Sequence, residues 1–247
     1  MEINKHTSFS FWERSSESLP LFRRFIFRKR IDKTLKTPVL IRQKCEGISF
    51  NGHLVKSILF STDLALIENN DSDAVLAVYP FAPSPRIMET LINFSSKPVI
   101  CGVGGGKTQG KTSIQMAMLA EQLGACAVIV NQPFKNRDIQ KMKQAINIPI
   151  ISSISTVNFD FKKRIESGVS VFNITGGSET TKIIRHLQQH FPDIPYICTI
   201  GKSVEHLTEV INHRAKAVIL TPPSNATMFK KIMANYRLGI TKIKKLF

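Results

Sequence analysis

The chain has 247 residues, of which 43% are hydrophobic, so it can bury a substantial core as one large domain or two small ones. It contains no run of about 18 apolar residues, and its first residues lack the apolar centre of a signal peptide. The sequence therefore predicts no membrane-spanning helix, and it favours a cytoplasmic protein. The net charge of +16 raises the question of a nucleic-acid partner.

The positive charge is concentrated at the two ends of the chain. Residues 1–60 contain twelve Lys and Arg against five Asp and Glu, and residues 225–247 contain six Lys and Arg and no acid. Basic ends can contact nucleic acid or an anionic membrane surface. We prefer the plainer interpretation, in which they are solvated tails, because the centre of the chain is nearly neutral.

Cysteine and histidine usage gives no metal signature. The four cysteines are scattered without a C-x-x-C pair, and in a cytoplasmic chain we expect them to be reduced. The histidines are not grouped with cysteines or acids at ligand spacing. The sequence therefore predicts no metal site and requires no cofactor.

The N-terminal region divides into a tail and an amphipathic stretch. Residues 1–19 are polar and Ser-rich, and we expect a poorly ordered tail there. From residue 20 to about 36, apolar residues mostly share one face and Lys and Arg the other, which predicts a helix. Such a helix could lie on a membrane surface or pack across one end of the domain, and we prefer the second arrangement.

A β-hairpin is predicted next. Residues 39–56 follow Pro38, which ends the preceding helix, and they are β-prone on both sides of an Asn51-Gly52 turn signal. Residues 20–54 are therefore expected to form an N-terminal helix and hairpin that pack on the main domain.

A regular alternation of strands and helices begins at residue 55. Eight apolar, β-branched runs have the composition of parallel strands buried on both faces, and they span residues 55–61, 73–80, 98–103, 125–131, 148–154, 170–175, 194–200 and 215–221. Amphipathic stretches separate them, and a last helix follows at about 226–236. Eight successive units predict an α/β fold, a single (β/α)8 TIM barrel over residues 55–237 with a basic tail at 238–247. A doubly wound open sheet is the alternative.

Residues 105–112 match G-x-x-x-x-G-K-[ST], the P-loop pattern, between a predicted strand and a predicted helix. A P-loop NTPase also needs an acidic residue at the end of another apolar strand to hold Mg²⁺. The next strand ends in Asn131 instead. A P-loop-like nucleotide-binding protein is therefore kept as an alternative to the main interpretation.

The active site of a barrel enzyme lies at the carboxyl ends of its strands. Glycine turns that lead into helix N-termini can hold a phosphate there through backbone N–H groups, and the predicted anion-binding residues are Gly104, Gly105, Gly106, Lys111, Gly176, Gly177, Ser178, Gly201, Lys202 and Ser203. The candidate catalytic residues are Asp63, Lys107 and Asn173. Other predicted pocket residues are Tyr79, Asn131, Ser153, Thr175, Thr199 and Thr221.

Different catalytic roles are possible for Asp63 and Lys107. Asp63 is the only well-placed acid at this face and could act in acid–base catalysis, but Asp is also favoured as the N-cap of a short helix. Both interpretations stay open. Lys107, Lys111 or Lys202 could stabilise developing negative charge.

Collinear blocks within residues 25–237 resemble an uncharacterised family of bacterial TIM-barrel proteins that are often labelled hydrolases. The blocks are KTPVLIRQ at 36–43, FSTD at 60–63, AVYPF at 77–81, CGVGGG at 101–106, NITGG at 173–177 and TPP at 221–223. The resemblance implies a barrel fold, and the label hydrolase does not specify a mechanism.

The second half is distantly similar to the phosphate-binding aldolase and epimerase barrels of the ribulose-phosphate-binding kind, including the 2-keto-3-deoxy-6-phosphogluconate aldolases. Those aldolases carry a Schiff-base lysine on the sixth strand, where residues 171–175 read VFNIT. The relatives carry Thr-Gly-Gly-Pro after the seventh strand, where residues 199–202 read TIGK. The similarity implies phosphate binding, and the missing lysine argues against class I aldolase chemistry.

The sequence as a whole predicts an enzyme that binds a small phosphorylated or anionic metabolite at the carboxyl ends of the strands. Hydrolase and lyase or isomerase reactions both stay open. Besides the P-loop alternative, the chain could be a non-catalytic regulatory barrel with basic tails. Self-association into a homo-oligomer also stays open.

Overall fold

In a computed structural model, residues 35–201 and 204–238 are described. Within them the strands are β1 (Ile48–Phe50), β2 (His53–Val55), β3 (Ser57–Phe60), β4 (Ala74–Ala77), β5 (Val99–Gly104), β6 (Ala127–Val130), β7 (Ile150–Ile154), β8 (Val171–Ile174), β9 (Tyr196–Ile200) and β10 (Ala217–Leu220). The helices are α1 (Val39–Lys44), α2 (Leu64–Glu68), α3 (Pro85–Phe94), α4 (Gly110–Gln122), α5 (Asn136–Ala145), α6 (Phe161–Glu166), α7 (Thr180–His190), α8 (Val204–Asn212) and α9 (Asn225–Arg237). A short 3₁₀ turn, Gly177–Glu179, precedes α7.

Strands β3 to β10 form a closed barrel in chain order, with β10 paired to β3. All eight pairings are parallel. The predicted (β/α)8 barrel is therefore confirmed. Each predicted apolar run contains one barrel strand, and the strands are shorter than predicted at most ends. The first run also includes Val55, which belongs to the hairpin strand β2.

The apolar runs are continuous because both faces of each strand are buried. In β6, Ala127 and Ile129 belong to the cluster inside the barrel. Val128 and Val130, which alternate with them, belong to the larger cluster between the barrel and its helices. A strand with this environment on both sides has no polar face, which explains why the sequence shows runs rather than alternation.

The segment before the barrel differs from the hairpin predicted over residues 39–56. Val39–Lys44 form helix α1, so only the second part of the prediction is correct. The β-branched residues Val39 and Ile41 favoured a strand, but the other residues of α1 are good helix formers. The buried side chain of Ile41 anchors this helix in the core.

The hairpin itself pairs β1 with β2 around Asn51 and Gly52, which both have positive φ angles of 49° and 81°. This is the conformation of the tight hairpin turn that Asn-Gly predicts. The side chains of Phe50 and Val55 are fully buried in the cluster inside the barrel. The hairpin thus closes the amino-terminal end of the barrel, opposite the predicted active-site end.

The predicted helix at 20–36 lies almost entirely outside the described residues. Its penultimate residue, Leu35, is not helical, since its N–H donates to the carbonyl of Asn69 at 3.0 Å and its carbonyl accepts from Asp71 at 3.1 Å. The tail at 1–19, residues 239–247, and Lys202 and Ser203 also lie outside the described residues. Among the helices that are described, none combines the length and the apolarity needed to cross a membrane.

All four cysteines are buried free thiols, in agreement with the predicted reduced state. Burial raises the pKa of Cys101 and of Cys126 to about 12. Both thiols therefore stay protonated at neutral pH, and a protonated thiol is a weak nucleophile. Cys101, although it lies in β5 near the candidate site, is a packing residue.

Candidate functional site

A cavity of about 350 Å³ lies at the carboxyl ends of β3, β4, β5 and β6. Strand β3 contributes its last residue, and the chain after β4, the β5–α4 loop and the end of β6 supply most of the rest. The lining residues are Phe60, Val78, Tyr79, Pro80, Phe81, Pro83, Gly102, Gly104, Gly106, Lys107, Thr108, Ile129 and Asn131. This is the end of the barrel at which TIM-barrel enzymes bind their substrates.

The glycine-rich loop after β5 lies directly against the end of β6. The N–H of Asn131 donates to the carbonyl of Gly104 at 3.0 Å. Gly105 has a φ of 91°, and a Cβ atom at this position would lie 2.6 Å from the backbone nitrogen of Asn131. Only glycine fits this close approach. The two glycines therefore set the course of the loop, and Gly106, Lys107 and Thr108 border the cavity.

Lys107 is the cationic group of this cavity. Its side chain is exposed, and among the described residues it forms no ion pair or hydrogen bond. The exposed amide of Asn131 borders the same space. None of the residues that the structure describes places an acidic side chain in the cavity wall, so Lys107 gives this wall a positive potential.

Arg164 on α6 anchors the loop between β6 and α5, which begins at the cavity residue Asn131. Its side chain is 2% exposed, and its guanidinium donates to the carbonyls of Phe134 at 2.8 Å and Gln132 at 2.7 Å. It also lies 5.0 Å from the ring centroid of Phe159. Burial lowers the pKa of Arg164 to about 10, so it is charged at neutral pH and holds the β6–α5 loop next to Asn131.

Sequence reasoning missed Arg164, although a signal was present. Phe161 and Arg164 are both buried in α6, and residues three apart lie on the same helix face. An arginine on the apolar face of a helix has to find buried acceptors. In this structure the acceptors for Arg164 are backbone carbonyl oxygens and not a carboxylate.

The carboxylate of Asp63, a predicted catalytic group, caps helix α2. Its Oδ1 accepts hydrogen bonds from the N–H groups of Ala65 at 2.9 Å and Leu66 at 3.3 Å. Its own N–H donates to Ser61 Oγ at 3.1 Å. Asp63 does not line the cavity. This geometry is that of the N-cap alternative, and the catalytic role stays a prediction.

The second predicted catalytic residue, Asn173, is 3% exposed and has partners at both ends of its amide. Its Nδ2 donates to Ser153 Oγ at 3.1 Å, and its Oδ1 accepts from Thr199 Oγ1 at 2.9 Å. Strands β7, β8 and β9 thus bring three predicted residues together. They form a polar cluster that does not line the cavity.

The remaining predicted residues are distributed around the mouth of the barrel. Lys111 is exposed on the first turn of α4, and Thr175 donates through Oγ1 to the carbonyl of Ile154 at 3.2 Å. The turn at residues 176–178 leads into α7. Gly201 and Thr221 are exposed at the ends of β9 and β10.

The cavity therefore brings together Tyr79, Gly104, Gly106, Lys107 and Asn131 out of the predicted set. It also includes apolar residues that sequence reasoning did not select, above all Phe60, Phe81, Pro83 and Ile129. Of these, the PFAP segment at 80–83 carries a signal. An aromatic residue between two prolines at a strand end is expected in a constrained, exposed loop.

No protein-family model matches the sequence, and no curated protein matches it. Solved structures match the fold. A phosphoenolpyruvate phosphomutase from Streptomyces platensis subsp. rosaceus has a TM-score of 0.57 and 13% identity, covering 81% of this chain and 84% of its own.

Two further solved structures extend this comparison. A 2,3-dimethylmalate lyase of the PEP mutase/isocitrate lyase superfamily has a TM-score of 0.54 and 14% identity over 77% of this chain and 83% of its own. A phosphonopyruvate hydrolase in complex with oxalate and Mg²⁺ has a TM-score of 0.57 and 12% identity over 77% of this chain and 84% of its own. At such identities the likeness shows the barrel fold alone.

Proposed function

We propose that this chain is a TIM-barrel enzyme that binds a small anionic metabolite in the cavity at the carboxyl ends of β3 to β6. Lys107 carries the proposal, because its exposed ammonium group borders a cavity that no carboxylate of the described residues lines, and within those residues it has no partner. A carboxylate or phosphate at this position forms a charge-assisted hydrogen bond with Lys107. The amide of Asn131 supplies a neutral donor beside it.

Lys107 also provides the chemistry that the cavity can perform. A cation at this position stabilises negative charge that develops on an oxygen of the substrate. Hydrolase and lyase or isomerase reactions both pass through such states, so the reaction class stays open between them. The similar barrels are named as a phosphoenolpyruvate phosphomutase, a 2,3-dimethylmalate lyase and a phosphonopyruvate hydrolase. By analogy, these names support an anionic substrate.

The described residues do not fit a magnesium ion like the one bound to the phosphonopyruvate hydrolase. Mg²⁺ is usually held by carboxylate oxygens and water, and the cavity lining that the structure describes contains no acidic residue. Throughout residues 35–201 and 204–238, no three His, Cys, Asp or Glu side chains are grouped as metal ligands. We therefore derive no metal-dependent step.

The proposal is tested by anion binding to the full chain. Orthophosphate, oxalate and pyruvate are titrated by calorimetry against the parent and Lys107→Gln, with Lys141→Gln on α5 as a matched control for an exposed lysine. At least one anion is expected to bind the parent and Lys141→Gln equally, and about tenfold more weakly to Lys107→Gln. Absence of binding, or equal binding to all three proteins, contradicts the proposal.

A separate titration with Mg-ATP, which adds the variant Lys111→Ala, addresses the nucleotide alternative. The P-loop residues Lys111 and Thr112 are located on the first turn of α4 and do not line the cavity. Binding of Mg-ATP that is lost in Lys111→Ala and retained in Lys107→Gln would favour a P-loop-like protein over the proposed anion site.

A further inference from the structure

We infer that the ligand of this cavity is an amphiphilic anion, with one carboxylate or phosphate group beside Lys107 and a compact aromatic or branched aliphatic body. This inference rests on the proposed function and specifies the substrate class. It follows from the cavity wall formed by the described residues, which combines one cationic group with a large apolar surface.

The floor of the cavity continues the apolar interior of the barrel. Phe60 and Val78 pack on the buried cluster inside the barrel, and Ile129, which is 3% exposed, belongs to that cluster. All three also line the cavity. The part of a ligand that reaches this floor therefore contacts hydrocarbon, and burial of apolar ligand surface there is favourable.

The wall above the floor is also apolar. Pro80, Phe81 and Pro83 border the cavity in the segment after β4. The Phe81 side chain is 69% exposed, and the flanking prolines restrict the backbone that carries it. A ligand with an apolar body would cover this ring without a large loss of loop entropy.

The polar groups that remain are too few for a polyhydroxylated body. The hydroxyl of Tyr79 accepts the N–H of Ser84 at 2.8 Å, which leaves its O–H as one donor for a ligand. Within the described part of the chain, the other polar side chains of the lining are those of Lys107, Thr108 and Asn131. A sugar phosphate would place several hydroxyls in this space, and each hydroxyl that loses water without gaining a partner is unfavourable.

The size of the cavity sets a further limit. Ligand pockets commonly measure about 300–1,000 Å³, and this one has about 350 Å³. The space suits a single ring or a short branched chain together with its anionic group. Phenyl phosphate is therefore a suitable probe, and glycerol 3-phosphate is its counterpart with a similar size, the same phosphate monoester and a hydroxylated body.

The experiment compares the two phosphate esters and orthophosphate by calorimetry on the full chain. Phenyl phosphate is expected to bind at least tenfold more tightly than glycerol 3-phosphate. Phe81→Ser should weaken phenyl phosphate about fivefold and leave orthophosphate unchanged. Phe229→Ser, which changes a 65% exposed phenylalanine on α9 outside the cavity, is the matched control and should bind like the parent.

The outcomes separate this inference from the proposed function. If both esters bind equally and Lys107→Gln weakens the binding of both, the proposed anion site is supported and the inference of an apolar ligand body is wrong. The inference of an apolar ligand body is also wrong if Phe81→Ser and Phe229→Ser both bind phenyl phosphate as tightly as the parent does. If neither ester binds but orthophosphate, oxalate or pyruvate does, the proposed function stands and the inference is overturned. If none of these anions binds, the proposed function fails together with the inference.

Discussion

The guanidinium of Arg164 donates to the carbonyl oxygen of Phe134 at 2.8 Å across thirty positions of the chain. Phe134 in turn packs so closely on Gly104 that a Cβ atom there would lie 2.8 Å from its ring. A buried cation on α6 is thus connected through one loop to the glycine-rich wall of the cavity. Because no ion pair within the described residues neutralises Arg164, its charge also adds to the positive potential of this region.

Replacement of Arg164 by Met should lower the free energy of unfolding by about 2 kcal/mol or more. The substitution keeps the apolar stem but leaves the carbonyls of Gln132 and Phe134 without their donors, and each unpaired buried acceptor costs about 1–3 kcal/mol. Removal of the buried charge offsets part of this loss. Urea denaturation measures the change, with exposed Lys162→Met on the same helix as the control. Equal stability of the two variants would show that the carbonyls find other partners.

Gly105 and its neighbour Gly106 should respond very differently to alanine. Gly105→Ala places a Cβ 2.6 Å from the backbone nitrogen of Asn131 at a φ of 91°, so we expect a loss of about 2–4 kcal/mol in unfolding free energy. Gly106 is exposed with open space around its Cβ position, and its alanine variant should lie within about 0.5 kcal/mol of the parent. Urea midpoints of the matched pair test this difference, and similar losses would contradict the described course of the loop.

The barrel could be predicted from the sequence because its signal is repeated and physical. Each strand is buried on two sides, so a strand such as β6 contains no polar residue. Eight strands buried in this way, separated by helical periods, close a barrel. Local turn chemistry also predicted the hairpin at Asn51-Gly52. The stretch at Val39–Lys44 was mistaken for a strand because six residues are too few to show a period clearly.

The composition of the cavity could not be predicted in the same way. The positions of the strand ends predict which residues lie at the mouth of the barrel. They do not predict which of those side chains already have hydrogen-bond partners. Asn173 and Thr199 bond to each other through rotamers that the alternation of strands does not determine. Phe81 and Lys107 line one space only because the segments after β4 and β5 turn toward each other.

Substitutions of Asp63 distinguish its capping role from the predicted catalytic role. Asp63→Ala removes the acceptor for two backbone N–H groups of α2 and should cost about 1 kcal/mol of unfolding free energy. Asp63→Asn keeps an acceptor oxygen, and Asn caps helices about as well as Asp, so its stability should match the parent. If Asp63→Asn, although stable, abolishes turnover of a substrate once one is found, the carboxylate is catalytic as well as structural.

His186 should make the stability of the folded chain depend on pH. Its ring stacks on that of His190 with centroids 4.4 Å apart and lies 5.1 Å from the ring of Phe161. Burial, and secondly the charge of His190, lowers the pKa of His186 below its ordinary value of 6.5. The unfolded chain therefore binds more protons than the folded chain just below that value, so this contribution to stability is complete above about pH 6.5 and is lost as the pH falls through the folded pKa.

The His186→Gln variant should lose less stability than the parent when the pH is lowered from about 7.5 to about 5. Urea midpoints at the two pH values measure this difference. His53→Gln, which changes an exposed histidine in β2 outside the ring stack, serves as the control and should retain the parent's pH dependence. If His186→Gln and His53→Gln lose the same stability on acidification, the pH dependence arises at other groups and the ring stack has no part in it.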